Sequence, residues 1–360
     1  MSKRNFILLI IILSLGAIAV FVFLSFRKEL PPPPDNGTGT NFNIPFGGGG
    51  IKPPPVTAPP VDTPGDEPPL VTETPSGKLV KVSSMGVAGF TVFSKERIKE
   101  VPITEQELPL LKTKPKLPLT EFMPALRYVA KATGNIYQSF ADKIMERKFS
   151  GTIVPKVHDA YFGNRGESVV MRYLKTDGRT IETFVGTLPK ELLGAEVTGN
   201  NEVKGYFLPN NVKDVSVSPD GKNIFYLFIA ESNSEDSMIG TTLNLLNNKK
   251  VQVFDSPFTE WLSGWPSGNI ITLSTKPSSG IPGYVYTIDS AGKNLSRILG
   301  NINGMTVLGA LNGKVVLYGD RSLSLSVYHT DTRNSDVLGI KSLPEKCVWA
   351  SDAVTIYCAV

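Results

Sequence analysis

The chain has 360 residues and nearly balanced charge, with 37 Lys and Arg against 33 Asp and Glu and a formal net charge of +4. This length suffices for one large domain with accessory segments, and the small, scattered basic excess does not form the patch that nucleic-acid binding needs, so no nucleic-acid partner is expected. The two histidines and two cysteines show no C-x-x-C or H-x-x-x-H spacing, so we predict no metal site and no cofactor.

Residues 6–26 are the first predicted element, an apolar run without a charged side chain. A helix of this length spans roughly 30 Å, the thickness of a bilayer core. The alternative is a cleaved signal peptide, but its apolar region would be shorter, and the cleavage-like segment 17–19 lies inside the run. We predict a single-pass signal anchor in the cell membrane, with residues 1–5 as a cytoplasmic stub and the bulk of the chain extracytoplasmic.

Residues 27–77 form a Pro/Gly-rich segment, and residues 31–75 hold 14 of the 28 prolines of the chain. Such a composition buries too little apolar surface to offset the entropy of ordering. We predict a disordered, partly polyproline tether. The functional alternative is a ligand for a proline-recognition domain, although a spacer explains the composition without a partner.

From residue 78 onward, short alternating apolar segments flank turns that recur at intervals of 40 to 55 residues. This interval is typical of a four-stranded propeller blade. We therefore predict an all-β propeller over residues 78–360, with five units, a sixth that is incomplete, and an insertion at 94–124. The predicted turn positions are Gly166, Gly221, Gly268, Gly313 and Ala353.

The clearest turn is Ser218-Pro219-Asp220-Gly221, which continues as Lys-Asn-Ile-Phe-Tyr226. Proline presets φ, aspartate bonds to the local backbone, and glycine tolerates positive φ. This run resembles the S-P-D-G-K core of the WD40-like repeat of TolB-type β-propeller proteins, and residues 283–289 resemble the third strand of that repeat. The resemblance implies a propeller over roughly residues 85–360 and implies no activity, because these residues build the turn.

The last unit has two predicted strands, within residues 346–360. Because an open ring would expose strand edges, which folded proteins avoid, we expect either a chain truncated at its C-terminus or an irregular closure. The final strand is expected to have an open edge or to pair with residues 79–82.

Residues 94–124 combine Lys95, Arg97 and further lysines with prolines at 102, 109, 115 and 118. One interpretation is a contact with an anionic polymer or the anionic membrane face, and the other is a mobile surface loop. Elsewhere, Trp261 and Trp265 lie four apart on one predicted strand and so face the same side. They are candidates either for core packing or for a platform that stacks on sugar rings.

His158 begins a predicted inner strand, where its side chain could face a central channel. No nucleophile motif accompanies it, so the alternative is a strand histidine held by a local hydrogen bond. Cys347 and Cys358 flank the last hairpin, and a two-residue turn at 352–353 places them opposite one another. We predict that a disulfide is sterically accessible, with two free thiols as the alternative.

These observations favour a membrane-anchored extracytoplasmic propeller that acts as a binding or scaffold module for envelope proteins or glycans. Rigid blades suit this role because they hold variable loops on two faces. The alternative function is a propeller-type hydrolase or lyase that acts on envelope polymers. No catalytic residue can be named from the sequence, and two carboxylates meeting in a pocket would be needed to support that alternative.

Overall fold

The computed structural model describes residues 81–98, 120–191, 201–230 and 236–359. Within these ranges no helix is long and apolar enough to cross a membrane. The predicted stub, anchor and tether, and residues 78–80 of the predicted propeller, lie outside the described residues. The described part consists of strands, turns and two short helical turns.

Five four-stranded antiparallel sheets follow one another along the chain, and in each the strands are ordered as they occur in the sequence. We number them sheets 1 to 5. The strands of sheets 1 to 3 are β1 (Val87–Ile98), β2 (Thr120–Ala130), β3 (Ile136–Phe140), β4 (Arg147–Lys148), β5 (Val157–Gly163), β6 (Ser168–Leu174), β7 (Ile181–Thr187), β8 (Lys204–Phe207), β9 (Val212–Val217), β10 (Asn223–Ala230), β11 (Ser237–Asn244) and β12 (Lys250–Ser256).

Sheets 4 and 5 repeat this plan and are followed by a two-stranded terminal hairpin. Their strands are β13 (Trp261–Ser267), β14 (Ile270–Thr275), β15 (Pro282–Asp289), β16 (Ser296–Asn303), β17 (Thr306–Gly309), β18 (Val315–Gly319), β19 (Ser324–His329), β20 (Ser335–Lys341), β21 (Cys347–Trp349) and β22 (Ile356–Cys358). The first strands of successive sheets contact one another, from β1 to β17. This is the strand plan of a β-propeller, as the repeat predicted.

The core lies between neighbouring sheets, and strand alternation explains why. Val169 and Met171 of β6 join the apolar cluster shared with sheet 1. Val170, between them, joins the cluster shared with sheet 3. Because successive strand residues point to opposite faces, each inner sheet contributes to two clusters at once.

The first sheet and the terminal hairpin each have one apolar face that no described sheet covers. Phe90, Val92 and Phe122 are exposed on sheet 1, and Val348 and Tyr357 are exposed on the hairpin. β22 pairs only with β21 among the described residues, and residues 81 and 82 are not in a strand. Among the described residues the last strand therefore has an open edge, and residues 79 and 80 of the expected partner segment lie outside them.

The predicted insertion at 94–124 is in part regular structure. β1 continues to Ile98 and β2 begins at Thr120, and both stay paired in register to their ends. Arg97 binds Glu121 and Asp142 at 2.8 and 2.5 Å, and Lys95 is paired with Glu191. These two cations therefore bind carboxylates of their own chain, and the other lysines of the segment lie outside the described residues.

Cys347 lies directly opposite Cys358 in the terminal hairpin, in the register that the two-residue turn requires. Their Cα atoms are 4.1 Å apart, and the two sulfur atoms are bonded. The face that carries them is turned toward sheet 5, since the indole Nε1 of Trp349 donates to the carbonyl of Leu308 at 3.3 Å.

We expect the double substitution C347S/C358S to lower the free energy of unfolding by at most about 3 kcal/mol, because the bond closes a short loop. The change should be measured by denaturant unfolding with and without reductant. The unreduced wild-type protein should show no alkylatable thiol after denaturation. Two labelled thiols under these conditions would show that the bond does not form.

Candidate binding site

A groove of about 1010 Å³ lies between sheets 3 and 4 and is lined mainly by apolar and aromatic side chains. Its floor contains Phe254 and Trp261, both buried. Its rim contains Phe258, Ile281 and Leu295, which are 72%, 67% and 54% exposed. Three large apolar side chains left in water around one concave surface mark a candidate interaction site. We call it the aromatic groove.

Trp261 is fixed by contacts on two sides. Its ring stands edge-to-face against Phe254, at 5.6 Å between centroids, and against Tyr286 at 5.7 Å. Its indole Nε1 donates to the hydroxyl of Ser256 at 3.2 Å. Because the ring has both its aromatic and its polar contacts within the protein, it forms a rigid surface for a ligand.

The hydroxyl and charged groups of the groove are largely engaged by the protein itself. The Ser256 hydroxyl also accepts the backbone N–H of Phe258 at 3.0 Å. The Thr275 hydroxyl accepts the backbone N–H of Tyr284 at 3.0 Å. Glu260 and Lys276 are paired at the rim. A ligand therefore meets an apolar wall with few free acceptors.

Two tyrosines, Tyr284 and Tyr286, line the groove from β15. The guanidinium of Arg297 lies 5.8 Å from the centroid of the Tyr284 ring, and the same ring lies against Gly300, where a Cβ would come within 3.2 Å of three ring atoms. The hydroxyl groups of Tyr284 and Tyr286 make no hydrogen bond within the described residues. A ligand could use them, together with the polar side chains of Asp255 and Ser278, which also line the groove.

Trp261 and Trp265 do face the same side, since both belong to the cluster between sheets 3 and 4. Trp265 is 7% exposed and does not line the groove, so its position is that of a core residue. Only Trp261 contributes to both the core and the groove. A two-tryptophan platform for sugar rings is therefore not present.

His158 lies on a β-bulge, because the pairing of β5 with β6 shifts register between Val157 and Asp159. The extra residue turns outward, and the imidazole is 82% exposed, with Nδ1 in contact with Asp159. The other Asp159 oxygen binds Arg172 at 2.9 Å and accepts from the Tyr161 hydroxyl at 3.3 Å. His158 is thus a solvated strand histidine with a local partner.

Asp214 is a second carboxylate on an inner strand, and Ser263 of the next sheet satisfies it. It accepts the backbone N–H of Ser263 at 2.5 Å and the hydroxyl at 2.9 Å. Neither Asp159 nor Asp214 lines the aromatic groove or the second cleft described below. The two carboxylates are therefore used to join strands and sheets.

The pKa of Asp214 is raised, chiefly because burial disfavours its charged form, while the Ser263 hydrogen bonds oppose the shift. A carboxyl whose pKa is higher in the folded state contributes stability below its unfolded pKa and loses it as pH rises through the folded pKa. We expect the stability of the wild-type protein relative to Asp214→Asn to fall as pH rises from the unfolded pKa of an aspartate, about 3.9, through the higher pKa of the folded state. Urea denaturation of both proteins across this range measures it, and parallel pH profiles would contradict the expectation.

The turn at 218–221 has the structure that its residues predict. Gly221 has φ +68°, and its N–H donates to the carbonyl of Ser218 at 2.8 Å. Asp220 accepts the N–H of Lys222 at 3.0 Å, and the Ser218 hydroxyl lies 2.7 Å from Asp220, which lowers the pKa of that carboxyl. Each polar atom is directed into the turn.

This turn also borders a second cleft of about 670 Å³, together with β1 and the turn at 164–166. Next to it, Arg127 is buried between sheets 1 and 2. Arg127 donates to the carbonyl of Gly166 at 2.5 Å and to Gln138 at 2.6 Å. Its guanidinium carbon lies 4.3 Å from the Phe149 ring centroid. Burial lowers the pKa of Arg127 to about 10. Sequence patterns did not indicate this cation.

Within the described ranges, no group of three or more His, Cys, Asp or Glu side chains is placed to hold a metal ion. The arrangement supports binding of an apolar or aromatic ligand in the aromatic groove.

No protein-family model and no curated protein matches the chain. Solved structures do resemble it. TolB from Acinetobacter baumannii matches at 14% identity and a TM-score of 0.40, over 63% of this chain and 54% of TolB. An oligogalacturonate lyase in complex with manganese matches at 9% identity and a TM-score of 0.46, over 64% and 66%. A hydrazine synthase of Kuenenia stuttgartiensis matches at 13% identity and 0.35, over 57% and 62%.

The chain is thus similar to TolB-type β-propellers and spans about half the length of the TolB chain. Likeness at these identities concerns the fold alone. The propeller assignment rests on the strand order of the sheets and on the contacts between their first strands.

Proposed function

We propose that the protein is a membrane-anchored, extracytoplasmic binding or scaffold module for envelope proteins or glycans. The observation that carries this proposal is the aromatic groove, where Phe258, Ile281 and Leu295 are exposed around the buried Trp261. Apolar side chains at this density are costly to leave in water unless a ligand covers them.

Two features support the cellular location in this proposal. The uncharged run at 6–26 is long enough to anchor the chain in a bilayer. The bond between Cys347 and Cys358 is of a kind that persists in oxidising compartments outside the cytoplasm. Both features fit an exported domain on a membrane anchor.

The alternative function, a hydrolase or lyase, gains no specific support from the described residues. Asp159 and Asp214 are each bonded to residues of the chain, and neither lines a cleft described above. A binding role needs only the groove.

The binding role is tested by retrieving the full-length protein from cross-linked membranes and identifying what accompanies it. Phe258→Ala should lose the specific companion, because it removes the most exposed aromatic ring of the groove. Val354→Ala, which truncates an exposed side chain of the terminal hairpin, is the matched control and should retain it. Equal recovery in both variants would show that the groove is not the binding surface.

The location is tested by adding protease to intact spheroplasts. Cleavage within residues 31–75 should release the folded body into the supernatant. A body that remains protected would reverse the proposed orientation, and a body already free in the medium before digestion would indicate a cleaved signal peptide.

A further inference from the structure

We propose that the aromatic groove binds an apolar segment of a partner protein through one arginine side chain, whose guanidinium pairs with Asp255 and packs on the aromatic rings of the groove. The inference rests on the proposed function, in which the groove is the ligand site. It specifies the chemistry that a protein partner has to present there.

The polar groups that remain free in the groove can all accept a hydrogen bond. The side chains of Asp255, Ser278, Tyr284 and Tyr286 line the groove and make no hydrogen bond or ion pair within the described residues. The carboxylate of Asp255 only accepts, whereas the three hydroxyl groups both accept and donate. A ligand that brings hydrogen-bond donors can therefore satisfy all four groups, and a ligand that only accepts leaves the carboxylate without a partner.

The carboxylate of Asp255 gives the groove an unpaired negative charge. The charged side chains that line the groove are those of Asp255, Glu260 and Lys276, and Glu260 and Lys276 are paired with each other. Asp255 is exposed. An apolar ligand that covered it would remove its water and leave a charge without a partner, which is costly. A cation on the ligand removes this cost, so charge complementarity selects a cationic ligand.

The aromatic rings add a second attraction for a cation. Phe254, Phe258, Trp261, Tyr284 and Tyr286 line the groove. The face of an aromatic ring attracts a cation that lies within about 6 Å of its centroid. A guanidinium is planar and weakly hydrated, stacks on such faces and binds a carboxylate through two parallel N–H groups. An arginine side chain therefore uses the carboxylate and the rings together better than the compact, strongly hydrated ammonium of lysine does.

The same combination of ring and carboxylate already holds an arginine elsewhere in the chain. The guanidinium carbon of Arg97 lies 5.1 Å from the centroid of the Phe140 ring. The guanidinium nitrogens also bind Glu121 and Asp142, at 2.8 and 2.5 Å. One guanidinium can therefore contact a ring and carboxylates at the same time, as the proposed ligand would.

One ring that lines the groove is already in contact with a guanidinium. The guanidinium carbon of Arg297 lies 5.8 Å from the centroid of the Tyr284 ring. Arg297 does not line the groove and makes no ion pair with Asp255. The carboxylate is therefore left for a cation that comes from a ligand.

The rim of the groove indicates that the arginine belongs to an apolar protein segment. Phe258, Ile281 and Leu295 are exposed around the groove, and aliphatic side chains on either side of an arginine would cover them. Arginine is also one of the residues that contribute most to protein–protein binding. A neutral glycan can stack on the rings, but it brings no cation to Asp255. The groove therefore fits a protein partner better than a neutral glycan.

The test compares two peptides that differ in one charge. They are acetyl-Gly-Leu-Arg-Leu-Gly-amide and the same peptide with citrulline, the neutral urea analogue of arginine. Each is titrated up to about 1 mM into the full-length protein in neutral detergent micelles, and calorimetry measures the Kd. We expect the arginine peptide to bind about tenfold more tightly than the citrulline peptide. Equal Kd values for the two peptides would overturn the inference.

A pair of charge-removing variants identifies the carboxylate that is responsible. Asp255→Asn keeps the shape of the side chain and should weaken binding of the arginine peptide about tenfold, while binding of the citrulline peptide stays unchanged. Glu345→Gln, which makes the same change of charge at an exposed position outside the groove, is the matched control and should leave both Kd values unchanged. Equal weakening by the two variants would reveal a general effect of net charge and would overturn the inference.

Phe258→Ala separates this inference from the proposed function. If both peptides bind more weakly to Phe258→Ala but equally well to Asp255→Asn, the cation is wrong and the groove remains the ligand site. If the peptides bind and neither variant weakens them, both the inference and the proposed function fail. Displacement of the arginine peptide by an equal concentration of tetraglucosamine, a cationic glycan, would overturn the choice of a protein partner. No binding of the arginine peptide would overturn the inference and leave the proposed function to the companion retrieved from membranes.

Discussion

Replacing Gly89 by alanine should lower the free energy of unfolding by about 3 kcal/mol or more, at the upper end of the cost of overpacking. Gly89 lies on β1, where the first strand of sheet 1 passes the first strand of sheet 2. A Cβ at this position would meet the carbonyl oxygen, carbonyl carbon and Cα of Ala160, all within 3.1 Å. Backbone atoms cannot rotate away, so the two sheets would have to separate.

Gly86→Ala is the matched control for this substitution. It lies three residues earlier, and its Cβ would meet nothing closer than Lys131 at 3.9 Å. Its effect should stay within about 0.5 kcal/mol of zero or be slightly stabilising. Denaturant unfolding followed by circular dichroism measures both variants. Similar midpoints for the two alanine variants would show that β1 and β5 lie farther apart than in the structure.

Trp265→Ala should cost about 3–5 kcal/mol, the range for removing a buried tryptophan. The side chain is 7% exposed and packs in the cluster between sheets 3 and 4 with Phe225 and Leu273. Its removal leaves a cavity that rigid sheets on both sides cannot fill. Thermal and urea unfolding should show a lower midpoint. Hydrogen exchange should show the largest loss of amide protection in sheets 3 and 4.

The substitution Trp265→Phe separates the effect of side-chain volume on stability from the effect of the indole N–H. The indole Nε1 of Trp265 has no hydrogen-bond partner within the described residues, so phenylalanine removes an unsatisfied donor together with part of the volume. Since an unpaired buried donor is itself costly, the phenylalanine variant should lose only about 1 kcal/mol. A phenylalanine variant as unstable as the alanine variant would mean that the indole nitrogen does bind a partner.

The sheets could be predicted from local sequence because their signals are local. The turn at 218–221 combines a preset φ, an aspartate acceptor and a glycine at positive φ, and the strands beside it alternate. The same reasoning placed the terminal hairpin and the register of Cys347 with Cys358. Secondary-structure propensity and hydrophobic periodicity act within about ten residues, so both can be recognised in a single sequence.

The aromatic groove could not be predicted, because its walls come from distant parts of the chain. The spacing of Tyr284 and Tyr286 indicates one aromatic face of β15, but nothing local shows that Phe254 of another sheet lies against Trp261. The loops that carry Phe258 and Ile281 have no periodic pattern. Sheet-to-sheet packing decides which of these side chains meet.

The extent of the first hairpin was missed for a related reason. The prolines and charges of residues 94–124 predicted a loop. In the structure, Arg97 is stabilised in β1 by Glu121 across the strand pair. A charged residue in a strand is favourable when its cross-strand neighbour has the opposite charge. The pairing register, which supplies that neighbour, is not visible in the sequence.

Sheets 2 and 3 are also joined at their turns by a single backbone bond, from the N–H of Asn164 to the carbonyl of Gly221 at 2.6 Å. Because neither partner is a side chain, a substitution at 164 keeps the donor, whereas a Cβ at 221 would lie 3.3 Å from the donor nitrogen, at a φ of +68°. Proline at 164 is the exception, since it removes the donor. The amide proton of Asn164 therefore probes the contact between sheets 2 and 3. Its exchange rate with solvent reports how often these two sheets part, separately from the fraying of either one.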